Sequence, residues 1–320
     1  MRPSGTFPRE WGKVVTGYFL RRVLQGLISI VGASIVIFFI SRLSGDPIVL
    51  LLPTEAPPAL IEQVRQEMGL NEPVWKQYLI FAGKALGGDF GKSYRWQAPA
   101  LELVLDRLPA TIGLALAALA FSILLAVPFG VLSAVYRGSL IDTLGKGFAM
   151  LGQAMPNFWV GLLLVLIFAI HLDVLPAYGT GSAAHVLMPA IALGWYPVAA
   201  QTRIVRSAML DVLDSDYIRM GRAVGASERV LVWKYALRNA AIPLVTILGV
   251  YFAAMLGGAF VVETVFAWPG VGRTVVEAVF SRDFPVVQVG VLLTSILFVT
   301  SNLLVDLSYG FIDPRIRYDR

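Results

Sequence analysis

Six stretches of this chain contain no Asp, Glu, Lys or Arg: 23–41, 108–136, 147–172, 174–202, 239–262 and 284–305. Each comes close to or exceeds the roughly 20 apolar residues that a helix needs to cross a bilayer. Across all 320 residues, 57% are hydrophobic and 15% charged, whereas a soluble domain carries about 25% charged residues. A water-soluble fold of this length cannot hide so much apolar side chain. The pattern predicts an all-α integral membrane protein with six transmembrane helices. Only Asp173 separates the third and fourth stretches. The fourth opens with LPAYGTGSAAH (175–185), which reads as a loop, so its helix is expected from about Met188 to about Arg206.

Six crossings put both termini on one side, and the basic residues decide which. With the N-terminus inside, segments 1–22, 137–146, 203–238 and 311–320 hold 17 of the 26 Lys and Arg. Most of the others lie in the long 42–107 segment among acids, where they weigh little. The topology is therefore N-in, C-in. The net charge of +5 is mostly this bias, and nucleic acid is not an expected partner. Arg21-Arg22 ahead of an apolar run resembles a signal peptide, but RLSGDP (42–47) offers no small-x-small cleavage site. The run is read as a retained helix embedded in membrane lipid. The chain thus divides into an inner N-terminus 1–22, a first helix 23–41, an outer helical segment 42–107, a five-helix core 108–310 with an inner loop 207–238, and an inner tail 311–320.

The chemistry available is narrow. With no cysteine, disulfides, thiolate metal sites and cysteine nucleophiles are excluded. His171 and His185 flank the outer end of the third stretch, too few ligands for a metal site. No catalytic residues and no metal ligands are expected. GGDFGKS (87–93) imitates a phosphate loop, but Leu86 stands where that frame needs its first Gly, and the segment lies outside. Asp306 sits near the inner end of the last stretch, where a structural partner is as reasonable as a functional role. Pro156 and Asn157 can break or kink the third helix, either to line a pathway or to pack. The small-residue run GLALAALA (113–120) suits close helix packing.

Two segments outside the membrane carry further patterns. In 42–107, Leu60, Ile61, Val64 and Met68 share a helical face with Gly69 as its stop, and Pro73 can open a second helix over about 74–86. Either a cap on the outer membrane face or a docking surface would read this way. On the inner side, Leu210, Leu213, Tyr217 and Met220 form one apolar stripe, with Asp211, Asp214 and Arg222 facing elsewhere. Gly225 interrupts it, and Ser227 is a plausible N-cap for a second helix, 227–238, with Lys234 and Arg238 on one face. Acids precede bases here, which fits a protein contact better than an anionic lipid surface.

That inner loop, DYIRMGRAVGASERVLVWKYALRNAAIPLVT (216–246), resembles the coupling loop of inner-membrane permease subunits of ATP-binding-cassette importers, in the dipeptide/oligopeptide branch. Gly225 stands at that loop's central glycine and Pro243 eighteen residues later. Arg219, Met220 and Gly221 occupy its Glu-Ala-Ala positions, a departure common in the peptide branch. Further blocks resemble the family in register. They are RLSGDP with Gly45, Asp46 and Pro47, MGLNEP (68–73), GDFGKS (88–93), MPAIALG (188–194), ETVFAWPGVGR (263–273) with Trp268, Pro269 and Gly270, RDFPVVQ (282–288) with Arg282, Asp283 and Pro285, and NLLVDLSYGFIDPRIRY (302–318).

The resemblance implies a type I importer permease in a bacterial inner membrane, with 42–107 periplasmic. It implies a homologous second permease, two ATPase subunits that bind ATP and Mg, and a periplasmic or lipid-anchored binding protein. No cofactor is then expected in this chain itself. Asp216, Tyr217, Arg219, Arg222, Ala223, Gly225, Ala226, Glu228 and Arg229 would form the ATPase-coupling element, with Arg219, Arg222, Glu228 and Arg229 making charged contacts. Small peptides, glutathione, nickel complexes or other small solutes are the implied cargo. A self-sufficient channel or secondary carrier is the alternative. That class would show mid-depth charges or broken-helix repeats, which the sequence lacks at convincing depth. An intramembrane hydrolase has almost no support.

Overall fold

The computed structural model describes residues 9–43, 48, 55–67 and 69–312. Gly45, Asp46, Pro47 and Met68 lie outside them. The first helix, α1 (Arg9–Leu43), begins well before the charge-free stretch at residue 23. Arg21 and Arg22 end the lipid-compatible run without ending the helix, because Arg is itself a good helix former.

The outer segment contains α2 (Pro58–Glu67), α3 (Val74–Leu86) and the short α4 (Ala100–Leu105). The bounds of α3 are those expected behind Pro73. It lays Tyr78 and Phe81 against the buried Phe38 of α1, with ring centroids 5.5 and 5.3 Å away. The hydroxyls of Tyr78 and Ser34 meet at 2.8 Å. Through α3, the segment packs on the outer end of α1.

The core follows as α5 (Leu108–Val135), α6 (Leu140–Ala154), α7 (Asn157–Leu164) with a π-helical continuation Val165–His171, and α8 (Ala183–Leu213). Then come α9 (Asp216–Ala223), α10 (Glu228–Val230) running through a π-helical stretch Leu231–Ala236 into α11 (Leu237–Val265), α12 (Val271–Phe280) and α13 (Phe284–Ile312). Among the described residues, five helical spans are long and apolar enough to cross a bilayer. The sixth crossing is α6 and α7 together, bent by 105°.

Two expectations need correction. The third apolar stretch is not one helix over 147–172: it starts at Leu140 behind the N-cap Ser139, stops at Ala154 and restarts at Asn157. Pro156, extended at φ −63° and ψ 142°, has no N–H to give, and of the break or kink expected there the chain takes the break. The fourth helix, Ala183–Leu213, is longer at both ends than Met188 to Arg206. Freedom from charge measures contact with lipid; helical backbone extends past it.

α5 and α8 pack along most of their length through small side chains. Leu114, Ala115 and Ala118 of the small-residue run are fully buried against Met188, Ala192 and Leu193, a close approach that suits helices lacking a hydrophobic drive to associate. At the inner ends, Val131, Val205, Met209, Ile218, Val232 and Ala236 form a second cluster that holds the inner loop.

Candidate functional site

The inner loop is a hairpin. After α8, the chain turns at Asp214 and Ser215, whose extended backbone starts α9 afresh. The break resets the helical phase, so the stripe expected from Leu210 through Met220 does not exist. Ile218 is the buried anchor instead, whereas Tyr217 and Met220 are exposed, Met220 by 66%. The end of α9 is closed by two backbone bonds, Gly225 N–H to Arg222 O and Ala226 N–H to Gly221 O, both 3.0 Å. This is a Schellman closure with Gly225 at its left-handed position, φ +83°, a conformation costly for any residue with a Cβ. The second arm of the hairpin then continues unbroken into α11, which carries Pro243 within it. The helix expected over 227–238 is thus continuous with the inner end of the fifth crossing.

The charges expected to reach a partner are partly spent within the hairpin. Arg222 donates from Nε to Glu228 Oε1 at 2.6 Å and from Nη2 to Oε2 at 3.4 Å, bridging the two arms across the turn. The pairing holds the Glu228 carboxyl below its ordinary range and the Arg222 guanidinium above its own. Arg219 donates to the Asp214 carbonyl at 2.8 Å and lies 3.4 Å from Asp216, whose carboxyl is otherwise exposed. Asn239 donates to the Tyr217 hydroxyl at 2.8 Å, tying α9 to α11. Ala223, Gly225 and Arg229 are exposed at the tip and Ala226 is half-buried. Beside them stands Val224, 75% exposed. The sequence reading missed Met220 and Val224 as surface groups, because only the break at Ser215 turns them outward.

Two further polar centres brace the molecule. At the inner side Asp142, fully buried, accepts from Arg206 Nε at 2.7 Å, Arg206 Nη2 at 3.0 Å, Ser133 Oγ at 2.6 Å and the Gly138 amide at 3.1 Å. Lys146 lies 2.8 Å away. One carboxylate thus joins α5, α6 and α8 directly above the hairpin. Asp306 likewise has a structural partner, Arg22 of α1, at 3.1 Å.

At the outer side, Glu263 is a buried carboxylate two residues from the end of the fifth span. It is fully buried near the end of α11 and accepts from Thr111 Oγ1 at 2.7 Å and the Arg273 amide at 3.0 Å. Thr111 in turn accepts from the Val271 amide at 2.9 Å. Trp268 Nε1 donates to Ala110 O at 3.0 Å, and Pro269 carries the chain into Gly270. A Cβ on Gly270 would sit 2.2 Å from the Glu263 carboxylate, so the Trp-Pro-Gly turn needs glycine there. Asp283, also fully buried, accepts from Ser93 Oγ at 2.5 Å and the amides of Tyr94 and Arg95 at 3.1 and 3.2 Å. It fastens the loop after α3 to the start of α13, between exposed Arg282 and buried Pro285. Burial beside Asp283 pushes the Tyr94 hydroxyl up to about 12, against the opposing pull of Arg42.

The molecule is thus a helical membrane protein with up to six crossings, an inner hairpin bridged across its turn and a braced outer segment. Its residues 126–318 match the family described as binding-protein-dependent transport system inner membrane component, and residues 15–115 match the N-terminal model of that system. A dipeptide transport system permease protein of Alkalihalophilus pseudofirmus is 40% identical over 330 aligned positions, covering 94% of this chain and 99% of the relative. The Escherichia coli K12 dipeptide permease is 36% identical over 336, covering 95% and 99%. A glutathione transport system permease protein of Pectobacterium atrosepticum is 39% identical over 302, covering 94% and 99%. The fold is shared with the MetNI methionine ABC transporter in inward-facing conformations, at TM-score 0.53 and 17% identity over 66% of this chain and 96% of that one. The chain belongs to the binding-protein-dependent inner-membrane permease family. It is a multi-pass permease subunit of an ABC transport system in the bacterial inner membrane.

Proposed function

We propose that this permease forms half of an import pathway with a homologous second permease, and that hairpin 216–238 couples it to one of two ATPase subunits that bind ATP and Mg. A periplasmic or lipid-anchored binding protein would deliver the solute to the outer segment. The observation that carries the coupling role is the continuity of the hairpin's second arm with α11. A push on the Arg222–Glu228 bridge and the Schellman turn is transmitted to a membrane-crossing helix without an intervening loop. Exposed Met220 and Val224 would fill a groove of the ATPase, with Arg229 and Asp216 at its rim.

Small peptides or glutathione-like solutes are the proposed cargo, on the identity of the relatives. The dipeptide relatives need longer alignments than the glutathione relative over nearly the same share of this chain. This fits the short connection at 172–190, without an insert between third and fourth crossings, and tilts the choice towards glutathione-sized solutes. The test is co-purification in mild detergent. Gly225→Val should leave the second permease bound and strip the ATPases, because valine resists φ +83°. Recovery of ATPases at wild-type yield would remove the coupling assignment.

A further inference from the structure

The break between α6 and α7 is bordered by a cavity of about 410 Å³, within the range of small-ligand sites. Gln153, Met155 and Asn157 line it from the break, Tyr196 from α8, and Tyr251 and Met255 from α11. Tyr196 is 45% exposed. Arg203 follows seven residues later on the same face of α8 and is also exposed. Its Nη1 donates to Gln153 Oε1 at 3.2 Å, and the hydroxyl of Tyr251 lies within the electrostatic reach of both Arg203 and Tyr196.

Polar groups on a membrane-crossing face are costly against hydrocarbon and mark water-filled paths. Among the described residues, no acidic side chain lines this cavity. The neighbouring Arg206 is held by Asp142, but Arg203 holds an uncharged amide and meets no carboxylate within ion-pair distance among the described residues. At the start of α7 the Trp159 and Val160 amides donate to Pro156 O at 3.0 and 3.1 Å, and the positive end of the helix dipole lies at the same edge. We propose that this cavity is a solute subsite on the pathway wall, at whose edge Arg203, bonded to the lining Gln153, takes the carboxylate of a peptide-like solute while Gln153, Asn157, Tyr196 and Tyr251 meet its amides. The inference rests on the peptide-import reading above and specifies where, within this chain, the solute is held. Arg is suited to the task because its fork pairs a carboxylate through two parallel hydrogen bonds.

The test uses the complete transporter with its binding protein in vesicles, and reads solute imported per ATP hydrolysed. Radiolabelled reduced glutathione and alanyl-alanine are the probes, with C-amidated alanyl-alanine beside them. Arg203→Gln should lower the ratio about tenfold for the free carboxylates, the loss of one charge-assisted contact, and much less for the amidated probe. Arg203→Lys should recover a good part of it, and Tyr251→Phe should give a smaller fall for all three. A wild-type ratio in Arg203→Gln would overturn the subsite and leave Arg203 as a residue reaching inner lipid headgroups. So would an equal fall for free and amidated probes. If the wild-type transporter moves none of the probes, the peptide reading itself fails and the subsite falls with it.

Discussion

Single residues set the geometry of both ends of this permease. Gly270 is the clearest case, since its hydrogen faces the buried Glu263 carboxylate where no Cβ fits. Gly270→Ala should cost about 1–3 kcal/mol, the usual penalty of overpacking a tight site, and lower the unfolding temperature in detergent. Gly225→Val acts through backbone strain at the tip and should be relieved by local opening of the turn, so its chief effect is on the hairpin rather than on the unfolding temperature. At the hairpin, the Arg222–Glu228 bridge makes a pH prediction. Because the folded-state carboxyl titrates below its ordinary range, the bridge stabilises the hairpin above the ordinary glutamate range. That contribution is lost as pH falls through the depressed value. Both groups are substantially exposed, so the effect is local. A carboxyl-carbon NMR titration should find Glu228 low in the wild type and back in the ordinary range in Arg222→Gln. Equal titration in both proteins would show that the bridge does not form in solution.

At the scale of elements, the sequence disclosed what depends on local pattern. The apolar stretches, α3 behind Pro73, the turn at Gly225 and the interruption at Pro156 were all legible, because each is governed by hydropathy, proline or glycine. The helix ends were not, since Arg21, Arg22, Arg203 and Arg206 fall within helices that continue into water. Nor was the facing of Met220 and Val224, which depends on the two residues at 214–215 that restart the helix. The pairings least visible were long in sequence: Asp142 with Arg206, and Glu263 with Thr111, 152 residues apart. A carboxylate at the start of α6 gives no local sign that α8 will bring it an arginine. Asp142 is therefore the element-scale prediction. Asp142→Ala strands the Arg206 guanidinium between α5 and α8, and breaking a buried pair costs about 3–5 kcal/mol. Removing both charges, as in Asp142→Ala with Arg206→Met, should recover part of the loss in thermal unfolding. Additive losses would mean that the two side chains do not interact in the membrane-embedded protein.

For the whole molecule, the question is whether the outer cap and the inner hairpin are mechanically separable. The two are joined by the long crossings, and each has its own brace: Asp283 outside, Asp142 inside. Deleting 58–86 would be a poor test of the cap, because α3 covers Phe38 and its loss would bare a buried ring of α1. Asp283 offers a cleaner one. Its carboxylate gathers Ser93 Oγ and two backbone amides from the loop at 93–95. Asp283→Ala leaves those buried donors unsatisfied, each costing about 1–3 kcal/mol, so the loop between α3 and α4 should open. Limited proteolysis of inside-out and right-side-out vesicles would then show new cleavage near 87–97 from the outer face alone. ATPase co-purification through the hairpin should persist, while uptake at low binding-protein concentration falls, because the delivered solute meets a disordered cap. If the ATPases are lost together with the loop, the braces are parts of one cooperative frame. The outer cap would then belong to the machinery that moves α11 rather than to reception of the binding protein alone.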